Sequence, residues 1–257
     1  MIDPRAVVDP AARLAPDVTV GPFSIIGAEV EIGAGTWIGP HVVIQGPTRI
    51  GRDNRIYQFS SLGEIPQDKK FGGEPTWLEI GDRNTIREFV TMNRGTAQDA
   101  GLTRLGDDNW IMAYVHIAHD CVVGNRTIFA NGASLAGHVH IDDDVVLGGF
   151  ALVYQFTRMG MHSFCGFACG VHRDVPPYVT VAGYRAEPHG INAEGLRRRG
   201  FADEEIQVIR RAYKVIYRTN LRLEEALDKV REMAVECPRL HILADFLATP
   251  SRNGIVR

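Results

Sequence analysis

Residues 116–140 read HIAHDCVVGNRTIFANGASLAGHVH, and this stretch shows the repeat that decides the fold while carrying four of the nine histidines. An aliphatic or similar residue recurs at every sixth position, and a small or β-branched residue usually stands four places after it. A period of six is typical of a parallel β-helix, in which each hexad is one short strand plus a corner and three hexads close a triangular coil. The series runs through Leu105, Ile111, Ile117, Val123, Phe129, Leu135, Ile141, Leu147, Val153, Met159, Cys165 and Val171.

The same period fills the first part of the chain, with two interruptions. Apolar residues lie six apart from Ile2 to Leu62, and the series resumes at Ile80. Residues 63–79 and 97–104 break the pattern and are predicted as loop insertions. Loops that leave a regular solenoid often carry function. The first contains a polar cluster that suits a sugar or a phosphate, although a plain solvated loop explains it equally well: Gln67, Asp68, Lys69 and Lys70.

The repeat ends near Pro176-Pro177, which divides the chain into two predicted parts. We expect a β-helix over residues 1–187 and a small α-helical C-terminal domain over residues 188–257. An apolar stripe at helical spacing follows Asp203, and further helices are expected from Leu223 to about residue 237 and from Pro238 to about residue 247. This part is too short for a large core of its own, so it should pack on the β-helix and on neighbouring subunits.

Composition excludes several classes of protein. The net charge of −3 argues against a nucleic-acid-binding surface. The first residues lack a basic region followed by an apolar run, so no signal peptide is expected, and no apolar stretch approaches the ~18 residues that span a bilayer. Cys121, Cys165 and Cys169 occupy inward positions of the repeat, and Cys237 lies in the tail. We interpret all of them as reduced core residues of a cytoplasmic protein.

The repeat places the histidines outside the prism. His116 is the last residue of its hexad, His119 the third and His138 the fourth, and none of these positions points inward. Gly137 follows His119 by one full coil of three hexads, and Gln155 follows Gly137 by another. A histidine, a bare backbone and an amide in one exterior column indicate a site more than an ordinary solvated surface, which is the alternative.

A basic run, Arg197-Arg198-Arg199, opens the predicted helical part. Surface charge runs are usually only solvated. Beside Asn192 and Glu194, this run could instead bind a diphosphate through charge-assisted hydrogen bonds.

Five segments resemble the UDP-N-acetylglucosamine 3-O-acyltransferase family, whose members catalyse the first step of lipid A biosynthesis: HIAHDCVVGN (116–125), ASLAGHV (133–139), IYQFSSLGEIPQDKKFGGEPT (56–76), DVPPYV (174–179) and EGLRRRGF (194–201). The resemblance covers nearly the whole chain in order. It implies a left-handed β-helix, against the usual right-handed crossover, and a homotrimer with active sites between subunits. It also implies transfer of an (R)-3-hydroxyacyl group from acyl carrier protein to the 3-hydroxyl of UDP-N-acetylglucosamine, with no metal or tightly bound cofactor.

The resemblance assigns roles that suit the chemistry. It makes His119 the general base that a weakly nucleophilic sugar hydroxyl needs, and Asp120 the acid that orients the imidazole. Gly137 supplies a backbone N–H for the oxyanion. Substrate contacts are implied for His116, His138, Gln155, Gln67, Asp68 and Lys70, and nucleotide or phosphate contacts for Asn192, Glu194 and Arg198.

Three positions depart from the family pattern or vary within it. Members often have His where this chain has Asn93 and Tyr154, which leaves open whether a 3-amino sugar nucleotide is accepted. A residue that matches Phe167 ends the acyl groove in the family. Glycine there goes with long chains, and a bulkier residue goes with shorter ones. By extrapolation from the family, Phe167 therefore implies a donor of about ten carbons, and because each buried methylene is worth ~0.8 kcal/mol, a few excluded ones would discriminate strongly. The alternative is that Phe167 turns away or packs between subunits.

Other activities fit the sequence less well. A sister N-acyltransferase would carry a globular domain before the β-helix, whereas here the repeat starts at Ile2. A β-helical carbonic anhydrase needs three His on one zinc, but His116 and His119 are roughly 10 Å apart along an extended strand. An inactive structural solenoid would show monotonous outward threonines or charges, without two insertions and a His–Gly–Gln column.

Overall fold

The chain, described by a computed structural model over residues 1–257, forms a left-handed parallel β-helix followed by four α-helices. The strands are, in chain order, Val7–Val8 (β1), Arg13–Leu14 (β2), Thr19–Val20 (β3), Ile25–Ile26 (β4), Val30–Ile32 (β5), Trp37–Ile38 (β6), Val43–Ile44 (β7), Thr48–Ile50 (β8), Arg55–Ile56 (β9), Ser61–Glu64 (β10), Trp77–Ile80 (β11), Thr85–Ile86 (β12), Thr91–Asn93 (β13), Leu102–Leu105 (β14), Trp110–Ile111 (β15), His116–Ile117 (β16), Val122–Val123 (β17), Ile128–Phe129 (β18), Ser134–Leu135 (β19), His140–Ile141 (β20), Val146–Leu147 (β21), Leu152–Val153 (β22), Arg158–Met159 (β23), Phe164–Cys165 (β24), Gly170–Val171 (β25), Val179–Ala182 (β26) and Glu187–Ile191 (β27).

Three sheets form the faces of the triangular prism. The first runs β1-β4-β7-β10-β13-β16-β19-β22-β25, the second β2-β5-β8-β11-β14-β17-β20-β23, and the third β3-β6-β9-β12-β15-β18-β21-β24-β26-β27. Within each sheet, neighbouring strands come from successive coils, so the chain passes from the first sheet to the second to the third. Every strand pair is parallel except β26 with β27.

The hexad repeat fills the prism as the sequence predicted. The aliphatic position is buried from Val20 onward, for example in Ile111, Leu147 and Met159, each of which is 0% exposed, whereas Ile2, Val8 and Leu14 of the first coil are exposed or half-buried. Cys121 and Cys169 fill the small position of their hexads, Cys165 fills the aliphatic position, and with Cys237 they are free and buried. Each fully buried aliphatic side chain contributes about 1.5–3 kcal/mol relative to exposure, so the repeat itself is the main stabilising element of the fold.

Three corners separate the sheets, and each has its own chemistry. The histidine corner, between the first and second sheets, consists of His119–Asp120, Gly137–His138 and Gln155–Phe156. The aspartate corner, between the second and third, consists of Asp107–Asp108, Asn125–Arg126 and Asp143–Asp144. The aromatic corner, between the third and first, consists of Phe23, His41, Phe59, Phe89 and Tyr114. One residue of each corner turn adopts a positive φ, such as 58° at Asp120 and 62° at His138.

Both loop insertions leave the prism at the histidine corner, since β10 leads to β11 and β13 leads to β14. The insertions have different bounds from those that the sequence predicted, and only the first is shorter. Strands extend into both predicted ranges, so the excursions cover residues 65–76 and 94–101 instead of 63–79 and 97–104. The six-residue pattern did not predict these strand ends, because the inserted residues shift the phase of the repeat.

The C-terminal helices are Ala193–Arg198 (α1), Asp203–Tyr217 (α2), Leu223–Glu236 (α3) and Leu240–Ala248 (α4). The last three agree with the predicted helices, whereas α1 was not predicted. Strand β27 continues past residue 187, so the boundary proposed there falls inside a strand. Ile206, Ile209 and Ile216 of α2 are almost completely buried in the helical cluster. No helix has the length and apolar character needed to cross a membrane.

Candidate active site

The histidine corner holds a paired imidazole and carboxylate. His119 Nδ1 lies 2.8 Å from Asp120 Oδ2. Because a carboxylate only accepts, Nδ1 carries the hydrogen and donates it, which leaves the lone pair on Nε2. No protein group hydrogen-bonds Nε2. The side chain of His119 is 17% exposed while that of Asp120 is 1% exposed, so the base reaches the surface and its partner does not.

Asp120 is held ionised by its hydrogen bonds. Burial raises the pKa of its carboxyl, but hydrogen bonds from His119 and Thr96 outweigh burial and leave the pKa below its ordinary value. Thr96 donates through its backbone N–H at 2.8 Å and through Oγ1 at 2.7 Å. A buried, ionised acid with fixed partners can orient the His119 ring and stabilise its protonated form.

Gly137 lies against the His119 ring, as the repeat arithmetic predicted. A Cβ at this position would come within 2.6 Å of His119 Cε1 and 2.8 Å of Nε2, so only glycine permits this approach. The Gly137 N–H donates to no protein acceptor. The same is true of Gln155 in the next coil, so the free N–H is a property of the corner, and the missing side chain is what distinguishes Gly137.

Two other predicted histidines flank this pair. The His138 ring meets the His119 ring edge-on at 5.1 Å between centroids and stacks on Phe156 at 4.4 Å. Arg252 of the C-terminal tail covers the Phe156 ring. His116 Nδ1 contacts Thr91 Oγ1 at 2.7 Å, and burial, followed by the nearby charge of His119, lowers the pKa of His116.

The polar residues of the first insertion lie on the loop that leaves the same corner. Gln67 and Lys70 are exposed and have no side-chain partner, while Asp68 accepts the Lys70 backbone N–H at 3.0 Å. Gln155 is exposed too, and its carbonyl accepts a hydrogen bond from Asn253 at 3.1 Å. The side chains of Gln67, Lys70 and Gln155 are therefore free to contact a ligand.

Asn192, Glu194 and Arg198 come together elsewhere, beside the aspartate corner and the third sheet. They line a cavity of about 790 Å³ with Asp144 and His162. Asn192 caps α1, where its Oδ1 accepts the Gly195 N–H at 3.1 Å, and Arg198 donates to Glu194 at 3.1 Å. No histidine-corner residue lines this cavity, so one copy of the chain separates the two predicted halves of the site.

A groove of about 840 Å³ crosses the outer face of the first sheet. It begins at His116 and is lined by strand residues such as Leu152 and Gly170, together with Tyr154. Phe167 lies at the far side of this sheet, where the chain enters it from the third sheet. Its side chain points outward, with 74% of the residue exposed, and its ring meets that of Phe150 at 5.9 Å.

One set of groups has the spacing of a metal site. His119, Asp120 and His138 each offer a ligand atom within 4.8 Å of the others. This set differs from the His116 and His119 pair considered from the sequence. Asp120 Oδ2 already accepts hydrogen bonds from His119 and Thr96, and a metal would have to replace them. The expectation that no metal is bound stays a prediction.

Sequence reasoning missed two side chains that build these sites and gave a third no role beyond its place in the basic run. Thr96 and Asp99 of the second insertion contact Asp120 and His138, and Arg199 binds Asp144 at 3.1 Å beside the cavity at the aspartate corner. Arg199 was visible in the basic run. The loop residues gave no signal because an insertion has no period from which to place its side chains.

Comparison with known proteins identifies relatives over the whole chain. Residues 174–256 match the model of "Udp N-acetylglucosamine O-acyltransferase; Domain 2", and residues 29–64 and 103–137 match bacterial transferase hexapeptide repeats. The acyl-(acyl carrier protein)–UDP-N-acetylglucosamine O-acyltransferases of Herminiimonas arsenicoxydans and Halorhodospira halophila are 58% and 60% identical, covering 100% of this chain and 99% of theirs.

Solved structures agree. The UDP-N-acetylglucosamine acyltransferase of Francisella novicida superposes with a TM-score of 0.97 at 45% identity, covering 100% of this chain and 94% of that one. The corresponding enzyme of Bacteroides fragilis gives a TM-score of 0.97 at 40% identity, with 100% of both chains covered.

Proposed function

Since this chain belongs to the acyl-(acyl carrier protein)–UDP-N-acetylglucosamine O-acyltransferase family and is an enzyme of that type, we propose that it catalyses the first step of lipid A biosynthesis with His119 as its general base. The donor is an (R)-3-hydroxyacyl group on acyl carrier protein, and the acceptor is the 3-hydroxyl of UDP-N-acetylglucosamine. The reduced state of the buried cysteines supports a cytoplasmic location.

The mechanism is a direct acyl transfer. His119 Nε2 takes the proton of the sugar 3-hydroxyl while that oxygen attacks the thioester carbonyl carbon. The oxyanion that forms accepts a hydrogen bond from the Gly137 N–H. As the tetrahedral intermediate collapses, the carbon–sulfur bond breaks and the protonated His119 gives its proton to the leaving sulfur. Asp120 stabilises the transient imidazolium.

The observation that carries this proposal is the state of the two ring nitrogens of His119. Nδ1 is committed to a buried, ionised carboxylate at 2.8 Å, and Nε2 is unpartnered beside the bare backbone of Gly137. A general base needs a free lone pair within reach of a hydroxyl, and an oxyanion donor must lie next to the same carbonyl.

We propose that the active enzyme is a homotrimer whose sites lie between subunits. The separation of the histidine corner from the cavity that holds Asn192, Glu194 and Arg198 supports this, because a sugar nucleotide could then bridge two copies.

Mixed trimers test this arrangement. His119→Ala and Arg198→Ala subunits, each weakly active alone, should recover activity when they are co-expressed, since one interface then combines an intact His119 with an intact Arg198. A fully active monomer by light scattering at micromolar concentration would contradict the proposal.

The decisive test of function is a transfer assay. A series of 3-hydroxyacyl carrier proteins is offered with UDP-N-acetylglucosamine or its 3-amino analogue, and the products are identified by mass spectrometry. We expect acylation of the 3-hydroxyl with a preference for about ten carbons, because the resemblance to the family assigns the end of the acyl groove to Phe167, whose bulk would exclude further methylenes. Absence of any transfer to the sugar nucleotide would overturn the proposed reaction.

A further inference from the structure

We infer that Asp99 is a positioning residue, which fixes the ring of His138 and so builds a second imidazole–carboxylate pair beside His119 and Asp120. Asp99 Oδ2 lies 2.6 Å from His138 Nδ1, across 39 residues of sequence. The other oxygen, Oδ1, accepts the Ala100 N–H at 2.9 Å. The hydrogen bond from the Ala100 N–H therefore holds the Asp99 carboxylate in the orientation in which it contacts the imidazole.

The pair orients the ring more than it stabilises the fold. The Asp99 side chain is 46% exposed, and ion pairs at such positions contribute little to stability. The His138 side chain is only 14% exposed, with one face stacked on Phe156 and an edge against His119. Packing thus fixes the ring plane, and the bond to Asp99 decides which nitrogen carries the hydrogen.

The second insertion anchors both imidazole–carboxylate pairs. Thr96 donates twice to Asp120, as described above, and its carbonyl accepts the backbone N–H groups of Asp99 at 3.2 Å and Gly101 at 3.1 Å. One short turn therefore steadies the acid of the first pair and supplies the acid of the second. A displacement of this turn would disturb both histidines together.

The chemical consequence falls on His138 Nε2. With Nδ1–H donating to Asp99, neutral His138 keeps its lone pair on Nε2, which has no hydrogen-bond partner in the protein. It can then accept a hydrogen bond from a hydroxyl or amide N–H of the acceptor sugar. This role rests on the proposed function, because it assumes that the acceptor lies at the histidine corner.

A double-mutant cycle tests the inference. Asp99→Ala and His138→Ala should each raise KM for UDP-N-acetylglucosamine by about tenfold, the scale of one charge-assisted hydrogen bond. The double variant should be no worse than His138→Ala, because Asp99 acts through His138. KM for the acyl donor should stay unchanged in both single variants, the urea midpoint should stay unchanged in Asp99→Ala, and Asp99→Asn should have an intermediate KM for the sugar nucleotide. Gln98→Ala, a neighbouring exposed loop change, is the matched control.

A second readout does not depend on turnover. The ¹⁵N shifts of the His138 imidazole should report hydrogen on Nδ1 in the wild type and a shift toward the Nε2–H form in Asp99→Ala. The inference is overturned if Asp99→Ala equals Gln98→Ala in KM, if the two losses multiply in the double variant, or if the His138 shifts do not change. A wild type that fails to acylate the sugar nucleotide would instead overturn the proposed function, while the NMR result would still decide the pairing.

Discussion

The histidine corner and the aromatic corner are two edges of one prism, built by the same backbone geometry. Each places successive ring-bearing residues at positive φ, one coil above another. At the aromatic corner the rings stack in an unbroken series from Phe23 to Tyr114, with centroids 4.8–5.3 Å apart. At the histidine corner, His138 stacks on Phe156 at 4.4 Å in the same manner.

The difference between the corners is what surrounds the rings. No insertion leaves the chain at the aromatic corner, and its Phe and Tyr residues are 42–62% exposed. At the histidine corner, Thr96 and Asp99 of the second insertion contact Asp120 and His138, Asp120 is almost fully buried, and each of His119 and His138 faces a carboxylate. The repeat therefore supplies the columns of rings and one carboxylate, Asp120. The second insertion adds the Asp99 carboxylate and the Thr96 hydrogen bonds that turn one column into a candidate site.

The largest expected effect is at the base itself. His119→Ala should lower turnover by about 10²–10⁴-fold, the usual cost of losing a positioned base. His41→Ala removes a histidine at the aromatic corner, stacked on two rings but lacking an acid, and should change turnover less than about twofold. Transfer assays on both variants, with size-exclusion chromatography as a folding check, measure this. A correctly assembled His119→Ala enzyme that retains more than about a tenth of wild-type activity would remove His119 as the base.

Asp120→Asn should reduce turnover by about a hundredfold, since a neutral amide no longer favours the Nδ1–H form of His119 or stabilises its imidazolium. Chromatography of the variant must first show intact assembly, because Thr96 loses a charged partner. Unchanged turnover would mean that Asp120 serves the fold alone.

Asp120 also predicts how stability depends on pH. Its folded pKa is depressed by hydrogen bonds from His119 and Thr96, which overcome the opposing effect of burial. An acid with a depressed pKa contributes stability above its unfolded pKa of about 3.9, and this contribution is lost as pH falls through the folded value. Urea midpoints at about pH 6 and about pH 3 should therefore differ less in Asp120→Asn than in the wild type. An equal difference would contradict this.

A smaller effect is expected in acyl selectivity. Phe167→Gly should open the end of the groove and favour longer 3-hydroxyacyl donors, by about 30-fold if two to three methylenes gain room at ~0.8 kcal/mol each. Phe150→Ala, which removes the neighbouring ring, is the comparison variant and should shift selectivity less. If the wild type already prefers fourteen-carbon donors, or if Phe167→Gly leaves the preference unchanged, Phe167 does not end the groove.

The sequence predicted the columns of corner residues because a regular period determines which coil each residue belongs to and which way its side chain points. Counting one coil of three hexads placed His119 under Gly137, and the His119 ring does lie against that glycine. The same counting put the cysteines inside and the histidines outside. Where the six-residue period holds, the position of a residue in its hexad is enough to tell whether its side chain points into the prism or out of it.

The period failed where the coil length changes. Leu62 pairs with Met92 and Met92 with Ile117, so both of these coils are longer than the three hexads of a regular coil. The extra residues include Thr96 and Asp99, whose contacts depend on the path of a loop that no pattern specifies. Helix α1 is too short to show a helical period, and Arg252 reaches Phe156 only because the tail folds back.

The smallest expected effect tests whether the aromatic corner is only structural. The Phe59 ring stacks between His41 and Phe89 at 5.3 and 5.0 Å. Phe59→Ala should therefore lower the free energy of unfolding by about 1–2 kcal/mol while transfer activity stays unchanged. The residue has a φ of 64°, a conformation that costs alanine about 1–2 kcal/mol and glycine little. Phe59→Gly should thus be less destabilising than Phe59→Ala, although glycine removes more of the side chain.

Urea denaturation of both variants and the wild type measures this order. A Phe59→Gly enzyme less stable than Phe59→Ala would mean that the greater backbone entropy of glycine and the loss of the Cβ outweigh the relief of backbone strain at the aromatic corner. Loss of transfer activity or of the assembled state in either variant would show that these rings serve the site or a subunit contact. The aromatic corner would then have a functional role, and it could no longer serve as the purely structural counterpart of the histidine corner.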